Sequence, residues 1–233
     1  MIIYAIIPAR SGSKGLLNKN IKLISGKPLL AYSIEFAKKL KIDRIFCSTD
    51  SKKYAKIAVK YGAEVPFLRS DQASSSIAME HDILKDLYYN FEKENIPQPD
   101  LIVWLRPTFV FRNLKDVMKC IDLLKKDSSF TSARTICESE SRLYKLEDKI
   151  LTSTFEDDGK SMVRRQDIIG KYKVFSTDVF RSNEKNISDN FLGNKIAGII
   201  TNKLCGLDID DKLDFIIVEN ILNNNQKLIN ENT

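Results

Sequence analysis

Short apolar runs at residues 2–7, 44–47 and 101–105 are each bounded by polar or loop-forming residues. Runs of that length and uniformity suit strands buried on both faces of a parallel sheet. Between them, apolar positions recur at helical spacing. Residues 29–40 carry Leu30, Ile34 and Ala37 on one face and end in Lys38-Lys39, cations that favour a helix C-terminus. Further helices are predicted over 51–61, stopped by Gly62, over about 77–91, and over about 114–126. A third strand is predicted at 64–68, leading to Arg69. Strands alternating with helices make βαβ units, so the fold expected is α/β: a Rossmann-like open, mostly parallel sheet with helices on both faces.

The pattern changes from about 130 to 192, where short β-like pieces (130–135, 143–146, 172–180) are separated by polar stretches rather than helices. It predicts antiparallel hairpins forming an insertion or arm within a single domain of 1–233. The alternation returns at 195–201, a closing helix is predicted over about 211–222, and the Asn-rich end, 223–233, is expected to fray.

Composition narrows the class of chemistry. The 233 residues are 43% hydrophobic and 29% charged, as in an ordinary globular chain. The charge of +6, from 37 basic and 31 acidic residues, favours anionic ligands, but no basic block of the nucleic-acid-binding kind is present. Four scattered cysteines, Cys47, Cys120, Cys137 and Cys205, fit neither a zinc site nor a disulfide framework, and suit a reducing, cytoplasmic setting. The first apolar run is too short to span a membrane and has no leader-like flanks. With His81 the only histidine, any catalysis rests on carboxylates, cations, a hard metal ion and positioning.

After the first strand the chain breaks at Pro8 and enters a loop with Gly12, Gly15, Ser11 and Ser13 and the cations Arg10, Lys14 and Lys19. Glycines bring backbone N–H groups close to a ligand, and the carboxyl end of a sheet strand is where a crevice opens. The loop is suited to an anion, above all a polyphosphate; the plain alternative is a surface loop with solvated cations. Neither the P-loop spacing nor Gly-x-Gly-x-x-Gly is present. Far downstream, Asp208 and Asp210 alternate on an extended segment, placing two carboxylates on one face. Beside a phosphate pocket such a pair suits magnesium; otherwise the acids favour the N-terminus of the helix that follows. Asp211 reads as that helix's cap.

The blocks Pro8-Ala9-Arg10-Ser11-Gly12-Ser13-Lys14-Gly15, Asn18-Lys19-Asn20 and Gly26-Lys27-Pro28-Leu29 closely resemble the start of the acylneuraminate cytidylyltransferases, the CMP-sialic acid synthetases. Ser48-Thr49-Asp50 with residues 61–69, Leu105-Arg106-Pro107-Thr108 with Arg112, Arg164-Arg165-Gln166-Asp167, and Asp208-Ile209-Asp210 with Leu213-Asp214 continue the likeness in the family's order.

The resemblance implies an enzyme that joins CMP from CTP to the anomeric hydroxyl of a nonulosonic acid, with Mg2+, releasing pyrophosphate. It implies nucleotide binding by Arg10, Ser11, Gly12, Ser13, Lys14, Lys19, Asn20, Arg69 and Ser75, metal binding by Asp208 and Asp210, and catalytic roles for Arg10, Lys14 and Asp210. Arg106, Arg165 and Gln166 would meet the acidic sugar, the last two from an arm that makes a homodimer and can reach the site of a second copy. The bland alternative for Arg165 and Gln166 is an exposed charged turn. Neither nucleic acid nor membrane is implied as a partner. Two departures stand out. The family's Thr-Ser-Pro-Leu-Arg reads Thr108-Phe109-Val110-Phe111-Arg112, and its Asn-Gly-Ala-Ile-Tyr reads Phe175-Ser176-Thr177-Asp178-Val179. They point to an altered sugar pocket, and keep open another acceptor (an eight-carbon acid sugar or a polyol phosphate) or a non-catalytic nucleotide-binding module.

Overall fold

In the computed structural model the described residues are 1–13, 15–139, 143–154, 171–174, 176–182 and 190–233. The chain runs β1 (Ile3–Pro8), a small hairpin β2 (Leu23–Ile24) and β3 (Lys27–Pro28), α1 (Leu29–Lys39), β4 (Arg44–Ser48), α2 (Lys52–Tyr61), α3 (Asp71–Ser74) and α4 (Glu80–Lys93). It continues with β5 (Leu101–Leu105), α5 (Leu114–Lys126), β6 (Ser132–Glu138), β7 (Tyr144–Glu147), β8 (Ile150–Ser153), β9 (Tyr172–Lys173), β10 (Thr177–Arg181), β11 (Ile196–Ile200), α6 (Lys212–Asn224) and α7 (Gln226–Asn232).

The main sheet has the order β11-β6-β10-β5-β1-β4, with β9 added to β6. The β1–β4, β1–β5 and β11–β6 pairs are parallel, and β10 is antiparallel to both its neighbours. Period-two alternation sorts the side chains onto two faces. Ile3, Ala5 and Ile7 of β1 with Val103 and Leu105 of β5 pack against Leu30 and Ile34 of α1 and Val117, Ile121 and Leu124 of α5. Tyr4, Ile6, Ile102 and Trp104 point the other way, into Ile83, Leu84, Leu87 and Phe91 of α4. A third cluster, with Ile24, Leu29, Val110, Phe111, Ile209, Phe215 and Val218, fastens α6 and the segment before it to the sheet's edge.

Four expectations need correction. Residues 64–68 form no strand: Glu64 alone bridges Phe46, because Pro66 has no N–H to extend the ladder. The helix expected from residue 77 begins at Glu80, where the Asp82 carboxylate accepts the Met79 N–H at 2.9 Å. The stretch 130–192 is not wholly set apart from the sheet, since β6 and β10 lie inside it; among its described residues only the hairpin β7–β8 forms a separate small sheet. The sequence misleads there because β10 enters antiparallel, without a crossover helix. The tail does not fray. It forms α7, whose end accepts bonds from Leu114 N, Asn113 Nδ2 and Asn202 Nδ2.

Removing residues 226–233 deletes those three bonds and the packing of Ile229. At about 1 kcal/mol per net hydrogen bond, the expected loss of stability is about 3 kcal/mol, read as a lower urea midpoint with nearly unchanged slope.

Candidate active site

The chain turns back on itself around β1: β4 follows it on one side and β5 is laid down on the other. A crevice opens at the carboxyl ends of the strands at such a point. Here it is a cleft of about 320 Å³. One wall is the loop after β1, with Pro8, Arg10, Ser13, Gly15, Lys19 and Asn20; the other is Arg69, Ala73 and the start of α4 from Ala78 to Ile83; Trp104, Arg106, Pro107 and Thr108 close it.

The first loop is held by specific bonds. Ser11 donates its N–H (2.7 Å) and its hydroxyl (2.5 Å) to the Asp50 carboxylate at the end of β4. Asn20 is buried and donates Nδ2–H to the Arg10 carbonyl, and Arg10 Nη1 donates to the Ser75 carbonyl at 2.6 Å. Gly12 has φ +72°, a left-handed turn that glycine takes without strain. Burial would raise the Asp50 carboxyl, but the Ser11 hydrogen bonds and a backbone N–H outweigh it and hold it below the ordinary carboxylate range. Asp50 was the missed member of the site. Its only signal is its place just past a strand end, in a block the family resemblance covers.

Arg69 is buried, giving Nε–H to Ser48 Oγ and Nη2–H to the Ser48 carbonyl. Desolvation lowers its guanidinium to about 10, so the group stays charged at neutral pH. Of the predicted nucleotide-binding residues, Arg10, Ser13, Lys19, Asn20 and Arg69 line the cleft, while Ser11 and Ser75 support it by holding the loop and Arg10. Lys14, Arg165 and Gln166 lie outside the described residues.

The Asp208–Asp210 segment reaches the same mouth. Lys19 Nζ donates to the Ile209 carbonyl at 2.6 Å and lies 3.4 Å from Asp210 Oδ1. A Cβ on Gly15 would meet the Asp210 carbonyl at 2.6 Å, so only glycine permits this approach. Ile209 is fully buried and its N–H bonds the Thr108 carbonyl. Asp211 and Asp214 are a capping box: Asp211 accepts from Leu213 and Asp214 N–H, and Asp214 from Asp210 and Asp211 N–H. The helix terminus is thus served without the Asp208 and Asp210 carboxylates. Burial, with Asp210 adding to it, raises the Asp208 carboxyl despite a hydrogen bond from Thr108. Asp208 Oδ1 is buried with no hydrogen-bond partner among the described residues. An orphaned carboxylate oxygen beside a second carboxylate fits a hard divalent ion that draws its other ligands from phosphate and water. No group of three or more metal-ligating side chains occurs among the described residues.

Arg106 does not stand ready for a sugar carboxylate, as the sequence suggested. Its Nη1 donates to Asp178 Oδ2 at 2.8 Å and its Nη2 to Glu80 Oε1 at 3.0 Å. Phe109 and Phe111, taken as signs of an altered sugar pocket, are core residues, 0% and 2% exposed. Arg112 is buried too, donating to Ser33 Oγ and Thr177 Oγ1 and to the carbonyls of Phe109 and Arg106, both at 2.5 Å. Desolvation pushes its guanidinium down to about 9, still protonated at neutral pH.

An open α/β sheet whose strand ends present a cationic, glycine-containing loop against a pair of aspartates is suited to holding the phosphates of a nucleotide. The sequence pattern of the cytidylyltransferases matches residues 4–189, and the chain belongs to that family. N-acylneuraminate cytidylyltransferase of Escherichia coli is 32% identical over 222 residues, 91% of this chain and 50% of that one. CMP-N,N'-diacetyllegionaminic acid synthase of Legionella pneumophila is 30% identical over 237 residues, 98% of this chain and 100% of that one. The chain thus spans about half of the first relative and the whole of the second. The fold is shared with CMP:2-keto-3-deoxy-manno-octonic acid synthetase complexed with CTP, at TM-score 0.69 and 14% identity, covering 96% of this chain and 99% of that one.

Two outcomes are expected. Arg112→Leu removes the charge-assisted bonds to the Arg106 and Phe109 carbonyls and leaves the Phe109 carbonyl unpaired in the core, lowering the unfolding free energy by about 3 kcal/mol or more in urea titrations. A lowered Asp50 pKa means its bonds to Ser11 persist through neutral and mildly acidic solution and are lost only as pH falls through that lowered value. The Ser11 amide proton, followed by NMR, keeps its hydrogen-bonded shift over that range and loses it at every pH in Asp50→Ala.

Proposed function

We propose that the chain transfers CMP from CTP to the anomeric hydroxyl of a nonulosonic acid (sialic acid or a relative such as legionaminic or pseudaminic acid), releasing pyrophosphate. The observation that carries this reading is the meeting of the first loop with the Asp208–Asp210 segment through Lys19, Ile209 and Gly15. The names of the relatives supply the acceptor class.

In such a transfer the sugar oxygen attacks the α-phosphorus in line, the bond to the β-phosphate oxygen breaks, and the hydroxyl proton is lost. Positioning and charge stabilisation carry most of the barrier. Arg10, with Lys14, neutralises charge on the leaving pyrophosphate, while Lys19, Asn20 and Arg69 hold the nucleotide, with Ser11, Gly12 and Ser13 shaping the loop around the phosphates. Asp208 and Asp210 would hold Mg2+, which when bound neutralises phosphate charge and orients the triphosphate. Arg165 and Gln166 meet the sugar acid, from the same chain or a second copy.

The reading includes a homodimer. The β7–β8 hairpin leaves Leu146, Ile150 and Leu151 each about two-thirds exposed, an apolar arm suited to a second copy. It also includes a cytoplasmic setting. All four cysteines are free and buried, and no helix among the described residues is long and apolar enough to cross a membrane. An eight-carbon acid sugar or a polyol phosphate loses the support it drew from Phe109 and Phe111, since both are core.

Pyrophosphate release should require CTP and an acid sugar together and stop on adding EDTA. Asp210→Asn should lower kcat by roughly a hundredfold or more while CTP still binds by calorimetry. Release with CTP alone, or undiminished in EDTA, would sink the reading.

A further inference from the structure

The segment that bears Asp208 and Asp210 is tied to α7 by a side-chain amide. β11 ends where Thr201 gives its N–H to the Ile136 carbonyl at 2.8 Å, and Ile209 is held by Thr108. The link between these two anchors starts at Asn202 and passes through a short 3-10 helix, Lys203–Gly206. Asn202 Oδ1 accepts the Cys205 N–H at 3.2 Å and so caps that helix. Its Nδ2 is then turned outward, and donates to the Asn232 carbonyl at the end of α7 at 2.5 Å. Asn113 Nδ2 reaches the same carbonyl at 3.3 Å, while Asn113 Oδ1 caps α5. Leu204, Leu207 and Ile209 of the link share the third core cluster with Ile229 of α7.

We propose that Asn202 is a positioning residue for the acid pair, and that through it the docked α7 braces Asp208 and Asp210 at the mouth of the cleft. The proposal rests on the reading of that pair as the metal site for CMP transfer. An asparagine amide holds an acceptor and a donor in one plane, so the cap that shapes the 3-10 helix and the bond that docks α7 fix each other. The last carbonyls of a helix have no partner within it. α7 offers one of them to the chain leading to Asp208, and the same carbonyl serves the start of α5. The other ties on the link are weaker. Lys203 lies 3.7 Å from Glu138, but the two side chains are 54% and 63% exposed, and such pairs contribute little. Gly206 lies flat against β6, where a Cβ would come within 2.2 Å of Cys137 Sγ; that contact sets a distance without fixing a register. Magnesium demands near-ideal geometry of its ligands, so looseness just upstream of Asp208 reaches the ion. Arg112 fixes Ile209 from the floor of the cleft, and Asn202 fixes the chain's approach from the other side.

Three variants of the full chain separate bracing from plain stability. Asn202→Asp keeps the acceptor for the Cys205 N–H and puts an oxygen where the donor stood. Asn202→Ser keeps a cap but cannot reach α7. Asn232→Ala is the control, since the carbonyl that accepts belongs to the backbone. Both Asn202 variants should speed hydrogen exchange of the Ile209 amide about tenfold relative to the amides of β5. They should also weaken binding of the Mn2+–CTP complex, read by calorimetry without sugar, about tenfold. Binding of metal-free CTP should not change, and Asn232→Ala should show neither effect. Should Asn202→Asp fail to fold in urea titrations, Asn202→Ser carries the test. A lower urea midpoint, with Ile209 exchange moving only in step with β5, overturns the brace. Faster Ile209 exchange with unweakened Mn2+–CTP binding overturns it as well. If the wild-type chain binds CTP no more tightly with Mn2+ than without, the metal pair is removed, and exchange at Ile209 alone decides the brace. Both expected changes in a chain that transfers no CMP uphold the brace and remove the transferase reading.

Discussion

The arrangement of the cleft depends on a guanidinium that has no access to water. Arg112 sits between the loop after β5, the start of β10 and α1, and gives its N–H groups to carbonyls and hydroxyls of all three. Taking a cation out of water is unfavourable by several kcal/mol unless its donors are met, so those acceptors must stay where they are. The loop from Arg106 to Phe109 is therefore pinned from within. Thr108 then receives the Ile209 N–H, and Ile209 fixes the backbone on which Asp208 and Asp210 stand. Positioning of two acids at the mouth thus begins with one cation in the core.

Charge in the cleft is divided by what holds it. Arg69 and Arg112 are met mainly by neutral carbonyls and hydroxyls, so their positive charge is not cancelled. Arg10 likewise bonds a carbonyl, and Lys19 bonds one more closely than it approaches Asp210. These cations keep field for an anionic ligand while their geometry is set beforehand, which is what stabilising a developing phosphate charge needs. Arg106 and Arg134 are instead paired to carboxylates. One side of the cleft is cationic and the other neutral but rich in donors and acceptors, as a site for a polyphosphate beside a polar sugar would be.

Much of this was legible in the sequence. The buried strands, the helices at 29–39 and 114–126, and the glycine-containing loop announced themselves through periodicity and local chemistry, because those signals are set by neighbours in the chain. Asp211 as a cap was readable for the same reason. What failed was decided at long range. The tail, polar and Asn-rich, is ordered by the acceptor it offers to Asn113 and Asn202, which lie 119 and 30 positions earlier in the chain. Arg106 looked available until Asp178, 72 positions away, was placed beside it. Phe109 and Phe111 looked like pocket residues because they replace a family motif, whereas their aromatic bulk fills the core.

The same reasoning explains why Asp208 and Asp210 differ although they stand on one segment. Ile209 is driven into the third core cluster with Phe111 and Phe215, which draws Asp208 partly out of water and leaves Asp210 exposed. The buried acid resists ionisation and keeps an unpaired oxygen, whereas its neighbour retains its water. A cation arriving between them would relieve the first without having to strip the second completely. Hydrophobic burial of one isoleucine therefore prepares a carboxylate for a positive partner, and the acid's unfavourable environment is a consequence of the packing that positions it.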